Sequence, residues 1–270
     1  MLRKFALLFC LVLFAVVLAP PATAQTPLTR AVIQTVRNQV QLIPRQQTPR
    51  PARIAEEMRS EDAISTGLAS LAELRFNDGS LARVGESAVF RFVPNTRNFR
   101  LSNGNLLLLV PPGRGTTQIN TPNAAAGIRG SALFVRYLPN NDTTIVAALT
   151  NSGIEVANRT RSQRQGIQAG QLALLVRDRL EAVYNFDLNQ FYETNELAQD
   201  LSLNSRDPQI TDDRAIREAF AQRLHRRIPA GIAAVRAEIQ EALAQPQPPQ
   251  TPWIQLADLE QFSGVRSPSS

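Results

Sequence analysis

The chain has 270 residues and a formal charge of +6, from 29 Lys and Arg against 23 Asp and Glu. Lys4, Cys10 and His225 are its single lysine, cysteine and histidine. Phosphate-binding loops and Schiff bases need lysine, thiol chemistry needs cysteine, and zinc sites ordinarily need several histidines or thiolates. Only carboxylate chemistry or one Ser–His pair stays open to catalysis, and no cofactor or metal is expected.

Arg3 and Lys4 precede an unbroken apolar run from Phe5 to Leu18, and Ala22-Thr23-Ala24 supplies a small-x-small site before Gln25. That order predicts a signal peptide over residues 1–24, cleaved after Ala24, with an apolar core shorter than the ~20 residues of a spanning helix. Pro20 and Pro21 oppose the rival reading of an uncleaved anchor. Cleavage leaves 246 residues (270 − 24) and removes both Cys10 and Lys4. The charge falls to +4 because Arg3 and Lys4 leave together. The mature chain is therefore expected to be periplasmic or secreted, without a transmembrane segment. Its stability must come from a hydrophobic core, since disulfides are impossible.

From Leu28 to Tyr184 the pattern is short strands punctuated by turns. Ala72, Leu74 and Phe76 alternate with Glu73 and Arg75, the period of a half-buried strand. Asp78-Gly79 marks a tight turn, Leu81 to Val84 continues, Gly85-Glu86-Ser87 turns, and Ala88 to Val93 returns. Phe99 to Leu101 precedes a turn at Asn103-Gly104 and the apolar run Leu106 to Val110. Further strands are expected at Thr117 to Asn120, Ala132 to Tyr137, Thr144 to Leu149, Ile154 to Ala157 and Leu172 to Val176. Turn signals every ~8–12 residues predict a sandwich, a barrel or a solenoid-like stack.

After Tyr184 the period changes. Leu188, Phe191 and Tyr192 predict a short helix. Ile216, Phe220, Leu224, Ile228, Ile232, Val235, Ile239 and Leu243 then step by three or four, capped by Thr211 and interrupted by Pro229. Such a stripe is expected to pack on the β-domain. Pro246, Pro248, Pro249 and Pro252 predict an extended tail. The expected organisation is a signal peptide at 1–24, a β-domain at 28–184, a helical appendage at 185–245 and a proline-rich tail at 246–270.

The turns carry a more specific signal than their spacing. Asp62-Ala63-Ile64-Ser65-Thr66-Gly67, the alternating strand Ala72 to Phe76 and Asp78-Gly79-Ser80 come first. Leu101 to Gly104 with Leu106, Thr121-Pro122, Ile128-Arg129-Gly130-Ser131, Gly153-Ile154-Glu155-Val156 and Ala169-Gly170-Gln171 follow in order. This succession, over Ala31 to Val176, resembles FecR-type domains. Ser131 stands where Thr is usual, and Glu61 where Gly is. The resemblance implies a mainly β fold, a compact sandwich or solenoid-like FecR-type domain with a C-terminal helical appendage. It implies contacts with protein or glycan and no known chemistry. The signal peptide stands in place of the family's anti-sigma and transmembrane segments, so sigma-factor control is not carried over.

Arg159, Arg161 and Arg164 cluster between two expected strands, and Arg129 is the charged member of the central motif. Arg129 is expected either to lock the fold on a carboxylate such as Glu73 or Asp78, or to face a ligand. Guanidinium forks suit carboxylate, sulfate and phosphate, so these four arginines are the candidate ligand or partner contacts. Nucleic acid is disfavoured by export and by the lack of an aromatic–basic motif. The expectation is a non-enzymatic extracytoplasmic module binding an envelope protein, in signalling or assembly. An anionic polysaccharide-binding module is the alternative, and a glycosidase using Glu73, Asp78 and Glu86 the remote one.

Overall fold

The computed structural model describes residues 26–93, 95–199, 201 and 232–245. The expected signal peptide, the proline-rich tail, Thr211, Pro229, His225 and the first half of the helical stripe lie outside these residues. Seventeen strands form one open hydrogen-bonded network, arranged as two nine-strand sheets that share one strand.

The first sheet runs, edge to edge, β4 (Glu57–Arg59), β1 (Arg30–Arg37), β6 (Leu71–Phe76), β7 (Leu81–Val84), the second half of β9 (Asn98–Val110), β12 (Ser131–Leu138), β13 (Thr143–Ala148), β16 (Gln171–Val176) and β17 (Arg179–Asn185). The second runs β3 (Arg50–Pro51), β2 (Val40–Ile43), β5 (Ala63–Thr66), β8 (Val89–Phe92), the first half of β9, β10 (Thr117–Asn120), β11 (Ala124–Ile128), β14 (Ile154–Asn158) and β15 (Arg164–Ile167). All pairings are antiparallel except β9 with β10. From β10 onward successive hairpins are laid alternately on the two sheets, which gives the regular turn spacing its meaning.

Alternation does the packing. Ile33, Leu74, Leu108 and Val135 of the first sheet meet Leu42, Ile64, Phe90 and Val156 of the second in one buried core. Phe76 and Phe90 contact Phe99 at centroid distances of 5.1 and 5.2 Å. The other face of the first sheet is buried too. There Leu81, Leu107, Phe134 and Ala147 pack under α1 (Leu188–Thr194) and α2 (Ala233–Ala244), with Phe191, Tyr192, Val235 and Ile239 inserted. Asp187 caps α1 by accepting from the Gln190 amide at 3.0 Å. The fold is thus mainly β, with a C-terminal helix, and the sheets do not close into a barrel.

Two local expectations change. β6 is not half-buried: Glu73 on its outward face is enclosed as well, because the segment following α1 covers it. Asn103-Gly104 is not a turn between strands but a bend within β9, where the chain leaves one sheet for the other.

Gly104 makes that bend possible. Its φ is +77°, and a Cβ there would lie 2.6 Å from the Ala88 Cα and the Glu86 carbonyl oxygen. Backbone cannot retreat as a flexible side chain can. Gly104→Ala is therefore expected to cost roughly 3 kcal/mol in urea unfolding. Gly113 has nearly the same φ, +76°, but open space around it. Gly113→Ala should cost only about 1 kcal/mol. Equal losses at the two positions would remove close approach as the reason for Gly104.

Candidate functional site

The polar residues of the central motifs are largely spent on joining the two sheets. Asp78, in the β6–β7 turn, accepts from the Ser80 amide at 2.9 Å and its hydroxyl at 2.8 Å. The Arg97 guanidinium lies 2.7 Å from the same carboxylate, and both side chains are almost wholly buried. Arg97 also donates to the Thr117 hydroxyl at 2.9 Å and the Thr26 carbonyl at 2.8 Å, tying the first sheet's turn to β10 of the second. On the first sheet's outward face Glu73 accepts from Arg83 Nε at 2.8 Å. Arg83 in turn donates to the Leu197 carbonyl at 3.1 Å and to the Gln199 carbonyl, which pins the segment after α1. Glu86, the third carboxylate weighed for catalysis, accepts from the Ala69 amide at 3.2 Å. Among the described residues no three His, Cys, Asp or Glu side chains are grouped to hold a metal ion.

Arg129 therefore does not lock the fold on Glu73 or Asp78, since each already has a nearer arginine. It stands exposed where the chain crosses from β11 to β12, and its Nε donates to the Thr116 hydroxyl at 2.8 Å. Gly130 beside it packs on Pro112, with φ +63°.

Arg159 and Arg161 occupy the β14–β15 hairpin, and Arg164 opens β15. All three are exposed. The hairpin rests on the β16–β17 turn: the Asn158 side-chain Nδ2 donates to the Asp178 carbonyl at 2.9 Å, and the Thr160 backbone amide to the Asp178 carboxylate at 3.1 Å. Desolvation pushes that carboxyl up, but the Thr160 hydrogen bonds and the Arg159 charge hold it below its ordinary value. Arg164 is tied to Glu155 at 3.2 Å. Because Ala124 pairs with Asn158 in antiparallel register, Arg159 is level with Asn123, and Arg129 lies about six residues, or ~20 Å, along the strands from it. The structure groups the three hairpin arginines and leaves Arg129 apart.

A different pair of arginines was missed from sequence. Arg91 on β8 and Arg100 on β9 are directly opposite in register, both exposed on the outer face of the second sheet. The signal was present in Phe90-Arg91-Phe92 and Phe99-Arg100-Leu101, where apolar neighbours point inward and force the arginine out. The same register row continues through Asn120, Ala125 and Ala157 to Arg164. Among the described residues no hydrophobic cluster packs on this face, although Ala125 and Ala157 are largely covered between their neighbours.

A two-sheet β-domain with an Asp-Gly-Ser hairpin turn inside one sheet and an Arg-Gly-Ser element at a crossover between the sheets is the class these observations define. Residues 62–155 match the family model described as FecR protein, so the resemblance read from the motifs is shown over that span. Two solved structures, each titled a "putative anti-sigma factor" from Parabacteroides distasonis ATCC 8503, are similar to this chain. They are 16% and 14% identical, with a TM-score of 0.42 each, and the matches cover 47% and 53% of this chain. The matches span 61% and 64% of those chains' own length. No curated protein matches. No helix among the described residues is long and apolar enough to cross a membrane.

The buried and exposed ion pairs predict different losses. Asp78→Ala strands the Arg97 charge in the interior and should cost about 3–5 kcal/mol. Arg164→Ala breaks the exposed pair with Glu155 and should cost less than about 1 kcal/mol. Denaturant unfolding of both variants measures the contrast, and a mild Asp78→Ala phenotype would mean that Arg97 escapes to solvent.

Proposed function

We propose that this chain is a non-enzymatic, extracytoplasmic FecR-like module that holds a protein partner on the outer face of its second sheet. One observation carries the reading: the two sheets are covered unequally. The first is packed on both faces, by the second sheet and by the helices. Among the described residues the second is packed on one side only, by the first sheet, and presents Arg91, Arg100 and Gly166 exposed on the other. The FecR-type match supports a binding role, and the expected signal peptide supports a periplasmic or secreted location. Arg159 and Arg161 at the adjoining hairpin are proposed to extend this surface. Engagement of an anionic envelope polymer there is the second reading, favoured by their shared exposure. Arg129 and Arg164 are proposed as lesser contacts, since each already has a partner within the fold.

Site-specific photo-crosslinking in cells tests the main reading. A photoreactive side chain at Gln118, on the open face, should yield one discrete protein adduct in the envelope fraction. The same group at Asn189, on the helical layer, should not. Adducts from Asn189 alone, or from neither position, would overturn the assignment.

A further inference from the structure

We infer that the outer face of the second sheet is a docking floor for an extended, acidic segment of a protein partner, anchored on Arg91 and Arg100. The inference rests on the proposed protein-binding role and names the chemistry of the partner.

Charge is the first observation. The strands of this sheet carry four arginines, Arg50, Arg91, Arg100 and Arg164, and one carboxylate, Glu155. Arg50 is matched by Glu56 and Arg164 by Glu155. Arg91 and Arg100 have no ion-pair partner among the described residues. They are nevertheless direct cross-strand neighbours, a placement that brings Cβ atoms to about 4.5–5.5 Å and is unfavourable for like charges. The chain keeps a repulsive pair on its surface where a carboxylate would relieve it. Two planar forks side by side suit carboxylates, which each can bind through two parallel hydrogen bonds.

The second observation is independent of charge. Beyond Asn120 the floor is made of small residues, the half-buried Gly127 and the exposed Gly166, with Ala125 and Ala157 largely covered between their neighbours. Neither glycine is required by the fold. Their φ values lie outside the left-handed region, and a Cβ on Gly127 or Gly166 would find its nearest atom at 3.8 or 4.0 Å. Glycine weakens a strand, and where no bulge or bend explains it, it marks close approach by another chain or ligand. Glu155, between the two glycines in register, is drawn toward Arg164 by their ion pair.

The same face argues for a peptide over a sugar or a nucleic acid. The three aromatic residues of these strands, Phe90, Phe92 and Phe99, all point into the core. These strands therefore leave no aromatic platform on their outer face for pyranose rings or bases to stack on. An extended peptide needs none, and its alternating side chains can send every carboxylate to one side.

The test uses the full chain, a fluorescent peptide of alternating Glu and Ser, its Gln-for-Glu counterpart, and dextran sulfate. Fluorescence anisotropy at low salt should show saturable binding of the Glu peptide only. Binding should weaken about tenfold or more in R91Q/R100Q, which removes both forks. Gly127→Val should weaken it similarly by filling the floor. Neither substitution should lower the melting temperature, because one relieves repulsion and the other improves strand propensity. Absent peptide binding, unchanged affinity in R91Q/R100Q, equal binding of the Gln peptide, or binding of dextran sulfate in its place would each overturn the inference. A protein adduct at Gln118 that persists in R91Q/R100Q would leave the binding role standing and remove the acidic segment alone.

Discussion

The bend of β9 at Gly104 is the constraint from which the architecture follows. A strand of thirteen residues, Asn98–Val110, belongs to both sheets, and it can do so only because the backbone turns at a position without a Cβ. Its first half fixes the partners β8 and β10, and its second half fixes β7 and β12. Every later hairpin is added to an edge that β9 has already placed. Ala88 fits against the bend so closely that the β7–β8 connection is fixed by the same contact.

The buried ion pairs reinforce that arrangement at two levels. Asp78 and Arg97 join the first sheet's turn to the strand entering the second, and Glu73 with Arg83 joins the first sheet to the helical layer. Each pair also satisfies backbone or hydroxyl groups, the condition under which a desolvated pair is tolerated. Removing one member leaves the other charge largely desolvated and unpaired, whereas the exposed pairs at the rim have solvent as an alternative partner. These pairs specify which layers meet, while the apolar residues of the two cores supply the driving force.

Much of the β-domain was legible because alternation and turn chemistry act locally. Leu81 to Val84 and Thr117 to Asn120 are strands with the bounds their sequences suggest, and Leu188, Phe191 and Tyr192 do form a short helix. What could not be read was anything set by a second layer. The pattern of β6 shows one apolar face, yet Glu73 on the other is buried, because Arg83 and the segment after α1 enclose it. Asn103-Gly104 has the composition of a hairpin turn, and only the distant contact with Ala88 makes it a bend. The arginine pair was hidden for the same reason: Arg91 and Arg100 are nine residues apart, and register alone makes them neighbours.

The residues that identify the FecR-type segment are also those least free to bind anything. Asp62 accepts from the Arg45 and Arg59 amides at 2.9 and 2.8 Å, Asp78 is enclosed, and Gly104 and Gly130 press on backbone. Ser131 is buried against the Thr150 hydroxyl. A motif consumed in this way reports the fold and cannot report the ligand. Specificity has to reside where a substitution leaves the architecture intact, at outward positions of strands and at hairpin tips. Gly127 and Gly166 separate from Gly104 and Gly130 on that criterion, since the second pair is demanded by the chain and the first is not. Arg91 and Arg100 fall on the same side of the division, because the fold would be no weaker without them. Such residues are where one member of this class can differ from another while keeping the same two sheets.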